Sequence, residues 1–187
     1  MKKKSFALLT ALALVMGCVI GGTLAWLTDT TEEVKNTFTT SDIEIDLTET
    51  TGTEYQMIPG YTITKDPTVT VEAGSEACYL FVKLDKSDNF DDFMTYQMAG
   101  GWTPLSGVDD VYYRVVDESN VAQEFKVLMD DQVSVETSVT KEQMDALTEG
   151  TYPTLTITAY ASQQYENSAD TFTALEAWNN VQPGTGV

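Results

Sequence analysis

The chain contains no histidine. That absence removes the Ser-His-Asp triad, the Cys-His pair and the H-E-x-x-H zinc site from consideration. Cysteine is nearly missing too: Cys18 lies inside an apolar N-terminal run, and Cys78 is the only one beyond it. One thiol builds neither a disulfide framework nor a paired-cysteine zinc knuckle. Cys78 falls between Ala77 and Tyr79 at the start of an apolar stretch, the setting of an inert buried thiol and not of a nucleophile. Positive charge is scarce, with Lys and Arg numbering 10 against 29 Asp and Glu, for a net charge of -19 over 187 residues. Such a field repels nucleic acid and anionic membrane surfaces, and suits divalent cations or cationic wall components. Hydrophobic residues at 42% and this chain length describe one globular domain with a core of its own.

What is present begins with an export layout. Lys2-Lys3-Lys4 precede an apolar run from Phe6 to Ile20, followed by Gly21-Gly22-Thr23-Leu24-Ala25. The order of charge, apolar run and small residues predicts a signal helix over 1–25, cut between Ala25 and Trp26. Cleavage would leave the mature chain three charges more acidic. An uncleaved anchor uses the same apolar length, and Val15-Met16-Gly17-Cys18 loosely matches a lipobox. The glycines and the small-x-small exit favour cleavage, and Met16 is a poor lipobox residue. Membrane contact is then expected only through the uncleaved signal.

Beyond Trp26 the sequence turns to Thr, Asp, Glu and β-branched residues. Apolar residues alternate with polar ones in Ile43–Leu47, Thr68–Val71 and Thr154–Thr158, the pattern of half-buried strands. Cys78–Leu84 and Val111–Val116 are more continuously apolar and read as central strands; Phe125–Met129 and Val133–Val139 complete the set. Pro59-Gly60, Asp66-Pro67, Ala73-Gly74-Ser75, Gly100-Gly101 and Ser106-Gly107 supply the turns. Many short strands so punctuated predict an all-β sandwich or barrel. Two short helices are expected, Lys141–Leu147 behind Thr140 and Ala174–Asn179 behind Thr173. The organisation is thus a signal over 1–25, an extended segment over 26–40, a β domain over 41–181 and a flexible tail over 182–187.

Candidate chemistry is sparse. Asp85, Asp88, Asp91 and Asp92 fall in one acidic stretch rich in the hard oxygen ligands that calcium prefers, without the spacing or glycine of an EF-hand loop. A solvated acidic loop is the plainer reading. Trp102, Trp178, Tyr79, Tyr112, Tyr113 and Tyr160 offer a carbohydrate platform or, as is commoner for strand aromatics, core and cross-strand packing. The segment after the cut places Val34, Asn36 and Phe38 on one side of an extended chain. Such a segment can add to a neighbour's sheet edge, with Trp26, Leu27, Val34 and Phe38 as its apolar donors. It can equally fold back as a first strand of its own domain or stay unstructured.

The stretches Gly21–Asp29, Asn36–Thr40 and Ile43–Leu47, together with Pro59-Gly60, Thr64-Lys65-Asp66, Val69–Val71 and Gly74-Ser75, resemble the TasA/camelysin family of Gram-positive secreted proteins. The resemblance covers about the first half of the chain. It implies a jelly-roll-like β-sandwich, processing by a SipW-type signal peptidase, and residence in the extracellular matrix or at the cell surface. It also implies further copies of the same chain as partners, in fibres where an N-terminal segment completes the next subunit's sheet, with an accessory anchoring protein. Camelysin-like members are classed as metallopeptidases, an activity for which this chain has no histidine ligands. The expectation is therefore a non-enzymatic matrix or surface protein without a cofactor. The alternatives are a secreted metallopeptidase and a calcium- or carbohydrate-binding surface module.

Overall fold

A computed structural model describes residues 42–52 and 55–181, all in one compact unit. The expected signal helix over 1–25, the expected extended segment over 26–40 and the expected tail over 182–187 lie outside the described residues. Among these residues ten strands run in the order β1 (Ile45–Thr48), β2 (Thr62–Thr64), β3 (Thr68–Val71), β4 (Cys78–Lys86), β5 (Met94–Met98), β6 (Thr103–Pro104), β7 (Val111–Val116), β8 (Gln123–Lys126), β9 (Leu128–Val135) and β10 (Leu155–Gln163). Among the described residues three short helices join them: α1 (Phe90–Phe93), α2 (Lys141–Asp145) and α3 (Ala174–Val181). All pairing between strands is antiparallel. The protein is an all-β sandwich with short helices.

One layer is the sheet β10-β4-β7-β6. The other is two three-stranded sheets, β1-β3-β8 and β2-β9-β5, that read as one bent surface. The Val127 N–H donates to the Pro67 carbonyl at 3.0 Å and the Lys65 N–H to the Asp131 carbonyl at 2.8 Å, carrying the pairing across both breaks. Strand β9 absorbs its extra residues at Asp130 and Asp131, both in the left-handed region at φ 55° and 56°, where its register with β5 shifts. Aspartate tolerates that conformation better than most residues do.

The sequence pattern of β4 explains the layering. Cys78, Leu80, Val82 and Leu84 face the opposite layer and meet Val69, Val71, Val127, Leu128, Val133 and Val135. Phe81 projects from the other face into a second cluster with Val111, Leu105, Ala177 and Trp178, where α3 covers the sheet. A strand buried on both faces must read as a nearly continuous apolar run, and β4 does. Each such side chain contributes about 1.5–3 kcal/mol by leaving water.

Both expected helices form, each with reciprocal capping. The Gln143 N–H donates to Thr140 Oγ1 at 3.3 Å while the Thr140 N–H donates to Gln143 Oε1 at 2.8 Å. At α3 the Glu176 N–H donates to Thr173 Oγ1 at 3.3 Å and the Thr173 N–H to Glu176 Oε2 at 2.8 Å. These are the T-x-x-Q and T-x-x-E forms of the capping box. Helix α2 stops two residues before the expected Leu147, and α3 runs two beyond Asn179. The stretch expected as an acidic loop is different: Asp85 belongs to β4, and Asp91 and Asp92 lie on the helical turn α1, held by buried Phe90 and Phe93.

A pinned corner precedes β3. Asp66 accepts from the Thr50 hydroxyl, from the Thr50 N–H at 2.9 Å, and from the Thr51 hydroxyl and N–H at 3.0 and 3.1 Å. The Thr50 hydroxyl is the largest cause, partly offset by desolvation, of a carboxyl pKa lowered from 3.8 to about 2. A carboxylate bonded in this way stabilises the fold fully above its ordinary pKa, and that contribution disappears as pH falls through the lowered value. The stability difference between wild type and Asp66→Asn should therefore be constant above about pH 5 and shrink between 3.8 and about 2. Urea denaturation across that range measures it; a difference independent of pH contradicts the assignment.

Candidate functional site

At the end of the sandwich where β10 begins, the two layers part around an apolar groove of about 800 Å³. Its lining includes Met57, Ile63 of β2, Phe90, Met94, Met144 and Leu155 of β10. The residues come from the loop before β2, from both layers and from the region of α2, so the groove is a product of tertiary structure. Three methionines give it walls that re-pack easily around an inserted apolar group. On its rim, Ile58 and Tyr152 are about half exposed. Large apolar side chains left in water around an apolar cleft mark a surface for binding.

Two strand edges adjoin this groove. Strand β2 pairs with β9 on one side only, and β10 with β4 on one side only. Among the described residues neither has a strand on its other side. β1 lies against β10, but no ladder joins them. The edge of β10 belongs to a nine-residue strand, and although β1 approaches it, no described strand pairs with its outward backbone donors and acceptors. An extended apolar chain laid there would gain ladder hydrogen bonds and seat alternate side chains in the groove.

Chain direction adds a constraint. The Glu76 N–H donates to the Asp42 carbonyl at 3.2 Å, and the Gln164 N–H to the Ala77 carbonyl at 3.2 Å. The start of the described chain thus lies beside the far end of β10, roughly 26 Å from the groove at about 3.3 Å per residue.

No protein-family model, no curated protein and no solved structure matches the chain.

The residues expected to carry function fall into two groups. Ala25, Trp26, Leu27, Val34 and Phe38, expected at the signal cut and as strand donors, lie outside the described residues. The expected calcium ligands are described and do not converge. Asp85 pairs with Lys83 at 2.6 Å, Asp91 pairs with Lys86 at 2.9 Å, and Asp88 and Asp92 are exposed. Among the described residues no three acidic, cysteine or histidine side chains gather as a metal would require. Trp102 and Trp178 are buried, so neither forms a sugar-binding platform. Tyr79, Tyr160 and Trp178 pack together with Phe81 beneath α3.

Cys78 is fully buried, and desolvation pushes its thiol up to about 11. Little thiolate exists at neutral pH, and the sulfur is out of reach. Residues 26–187, in which Cys78 is the one thiol, are expected to leave Ellman's reagent unreacted over hours and to titrate fully once unfolded in guanidinium. Rapid native labelling would contradict that burial.

Proposed function

We propose that this chain is an exported, non-enzymatic protein of the cell surface or extracellular matrix that self-assembles by strand addition. In this reading a segment within residues 26–40 of one copy lies along the free edge of β10 in the next, with its apolar side chains in the groove. The observation that carries the reading is the placement of the groove and the chain start at opposite ends of the sandwich. A segment leaving one end suits the groove of a copy stacked in line, and a head-to-tail contact that does not close on itself builds an open filament. Fifteen extended residues reach at most about 50 Å, enough to enter a neighbour's groove. Trp26, Leu27, Val34 and Phe38 supply the apolar donors, and the resemblance of the N-terminal stretches to TasA/camelysin proteins points the same way.

The export signal gives this assembly its timing. While it remains attached, the donor segment is tethered at the membrane; cleavage after Ala25 by a SipW-type peptidase frees it. The decisive comparison is between residues 26–187 and residues 41–187, each examined by electron microscopy over a range of pH and salt. Filaments are expected from the longer form alone. Filaments from the shorter form, or none from the longer, would sink the strand-addition reading.

A further inference from the structure

The chain has a single arginine, and it stands in an unusual place. Arg114 occupies an inward-facing position of β7, opposite Leu80 in the ladder and in line with buried Val116. Its guanidinium carbon lies 3.9 Å from the centre of the Phe125 ring and 5.3 Å from that of Trp102. The indole is itself fixed, donating from Nε1 to the Lys126 carbonyl at 2.8 Å. Gly101 closes over the tip: at its φ of +90° a Cβ would come within 2.8 Å of Arg114 Nη2, so the loop needs glycine for both backbone and space.

What this guanidinium lacks, among the described residues, is an acid. All five described lysines are ion-paired: Lys65 with Glu49, Lys83 with Asp85, Lys86 with Asp91 and Asp110, Lys126 with Asp131, and Lys141 with Asp145. Among the described residues Arg114 has no such partner. Its Nε is buried and unbonded, and desolvation lowers its pKa. The side chain as a whole is only half-buried, and among the described residues neither Nη atom makes a hydrogen bond to the protein. Two aromatic faces compensate part of the desolvation, but they satisfy no N–H.

We propose that Arg114, held between Trp102 and Phe125, is a receptor for a carboxylate supplied from outside the subunit. The rings restrict the guanidinium to one orientation, and its Nη edge offers the two parallel donors that a carboxylate accepts in fork geometry. Binding would pair a cation now only half compensated, in surroundings where such a pair is stronger than in open water. Two sources share this chemistry: a free carboxylate, and an acidic side chain of a second copy. In the second case Arg114 is the one cation among the described residues that an approaching acidic copy finds unpaired. The site is independent of strand addition, since Arg114 is on β7 and not at the groove.

One arginine makes the test direct. In the nitrogen-labelled full chain the guanidinium Nε–H gives a single arginine cross-peak, and the Trp102 indole N–H reports from the stacked ring. Titration with sodium acetate at constant ionic strength, against sodium chloride, is expected to shift both signals with half-saturation on the order of 10 mM, the affinity of one charge-assisted pair. A second arm raises the protein concentration without acetate. A shift there that acetate reverses assigns the carboxylate to a second copy; a shift in the acetate arm alone assigns it to free carboxylates. Arg114→Lys keeps the charge but loses the fork, and its Trp102 signal should respond at least about tenfold more weakly. No acetate response, an equal chloride response, or an undiminished response in Arg114→Lys would overturn the proposal.

Discussion

Trp178→Ala is expected to destabilise the domain by about 3–5 kcal/mol, the range for removing a large aromatic side chain from a packed core. Trp178 is 3% exposed, with ring centres 5.3 Å from Phe81 and 5.2 Å from Tyr160. It is the main side chain with which α3 holds the outer face of the β4 sheet, and an eight-residue helix has little stability without that packing. Truncation would leave Phe81, now fully buried, beside a cavity. Urea denaturation should show the midpoint falling with a similar slope if unfolding remains two-state. Leu175 on the same helix is 43% exposed, and Leu175→Ala should change stability by no more than about 0.5 kcal/mol. Equal losses from the two substitutions would mean that α3 is not anchored by Trp178.

Ile58→Asp should separate assembly from folding. Ile58 is 46% exposed on the groove wall, so replacement costs the monomer little, within about 0.5 kcal/mol. In the proposed assembly the same position faces an apolar donor side chain, and an aspartate there would be desolvated without a partner. A penalty of only about 1.4 kcal/mol raises the concentration needed for assembly tenfold. The expected result is at least that increase, measured by sedimentation, with an unchanged urea midpoint. Normal assembly of Ile58→Asp would place the donor elsewhere than this groove.

Much of the fold was legible because its signals are local. Thr68–Val71 alternates strictly and is a strand over the same residues; β4 and β7 read as central strands and pair with one another. Thr140 and Thr173 cap helices because each has a Gln or Glu three residues on, a signal written in four residues. The turn α1 was hidden for the opposite reason. Four residues are too few to show a helical period, and what fixes them is the burial of Phe90 and Phe93 against distant strands.

The groove and the arginine site were not legible for the same physical reason. Met57, Met94, Met144 and Leu155 are scattered over about a hundred residues, and each alone reads as an ordinary apolar residue. Arg114 could have been placed on the inner face by its parity with Tyr112 and Val116. Nothing near it in sequence announces that Trp102 and Phe125 close over it. The acidic stretch misled in the other direction: Asp85 and Asp91 lie two and five residues from the lysines, Lys83 and Lys86, that take them as partners.

The β10-β4-β7-β6 sheet has two ends of unlike character. At one, β6 is two residues long and finishes in Pro104, which has no N–H to offer and is a poor template for another strand. At the other, β10 presents nine residues containing neither proline nor lysine, the usual means by which natural edges are blunted. Among the described residues this sheet therefore has a valence of one. A sheet with one receptive side and one blocked side cannot extend edge to edge through that sheet into a growing ribbon, the route by which exposed strands ordinarily lead to amyloid. The short, proline-ended β6 is thus a safeguard that lets the opposite edge remain open.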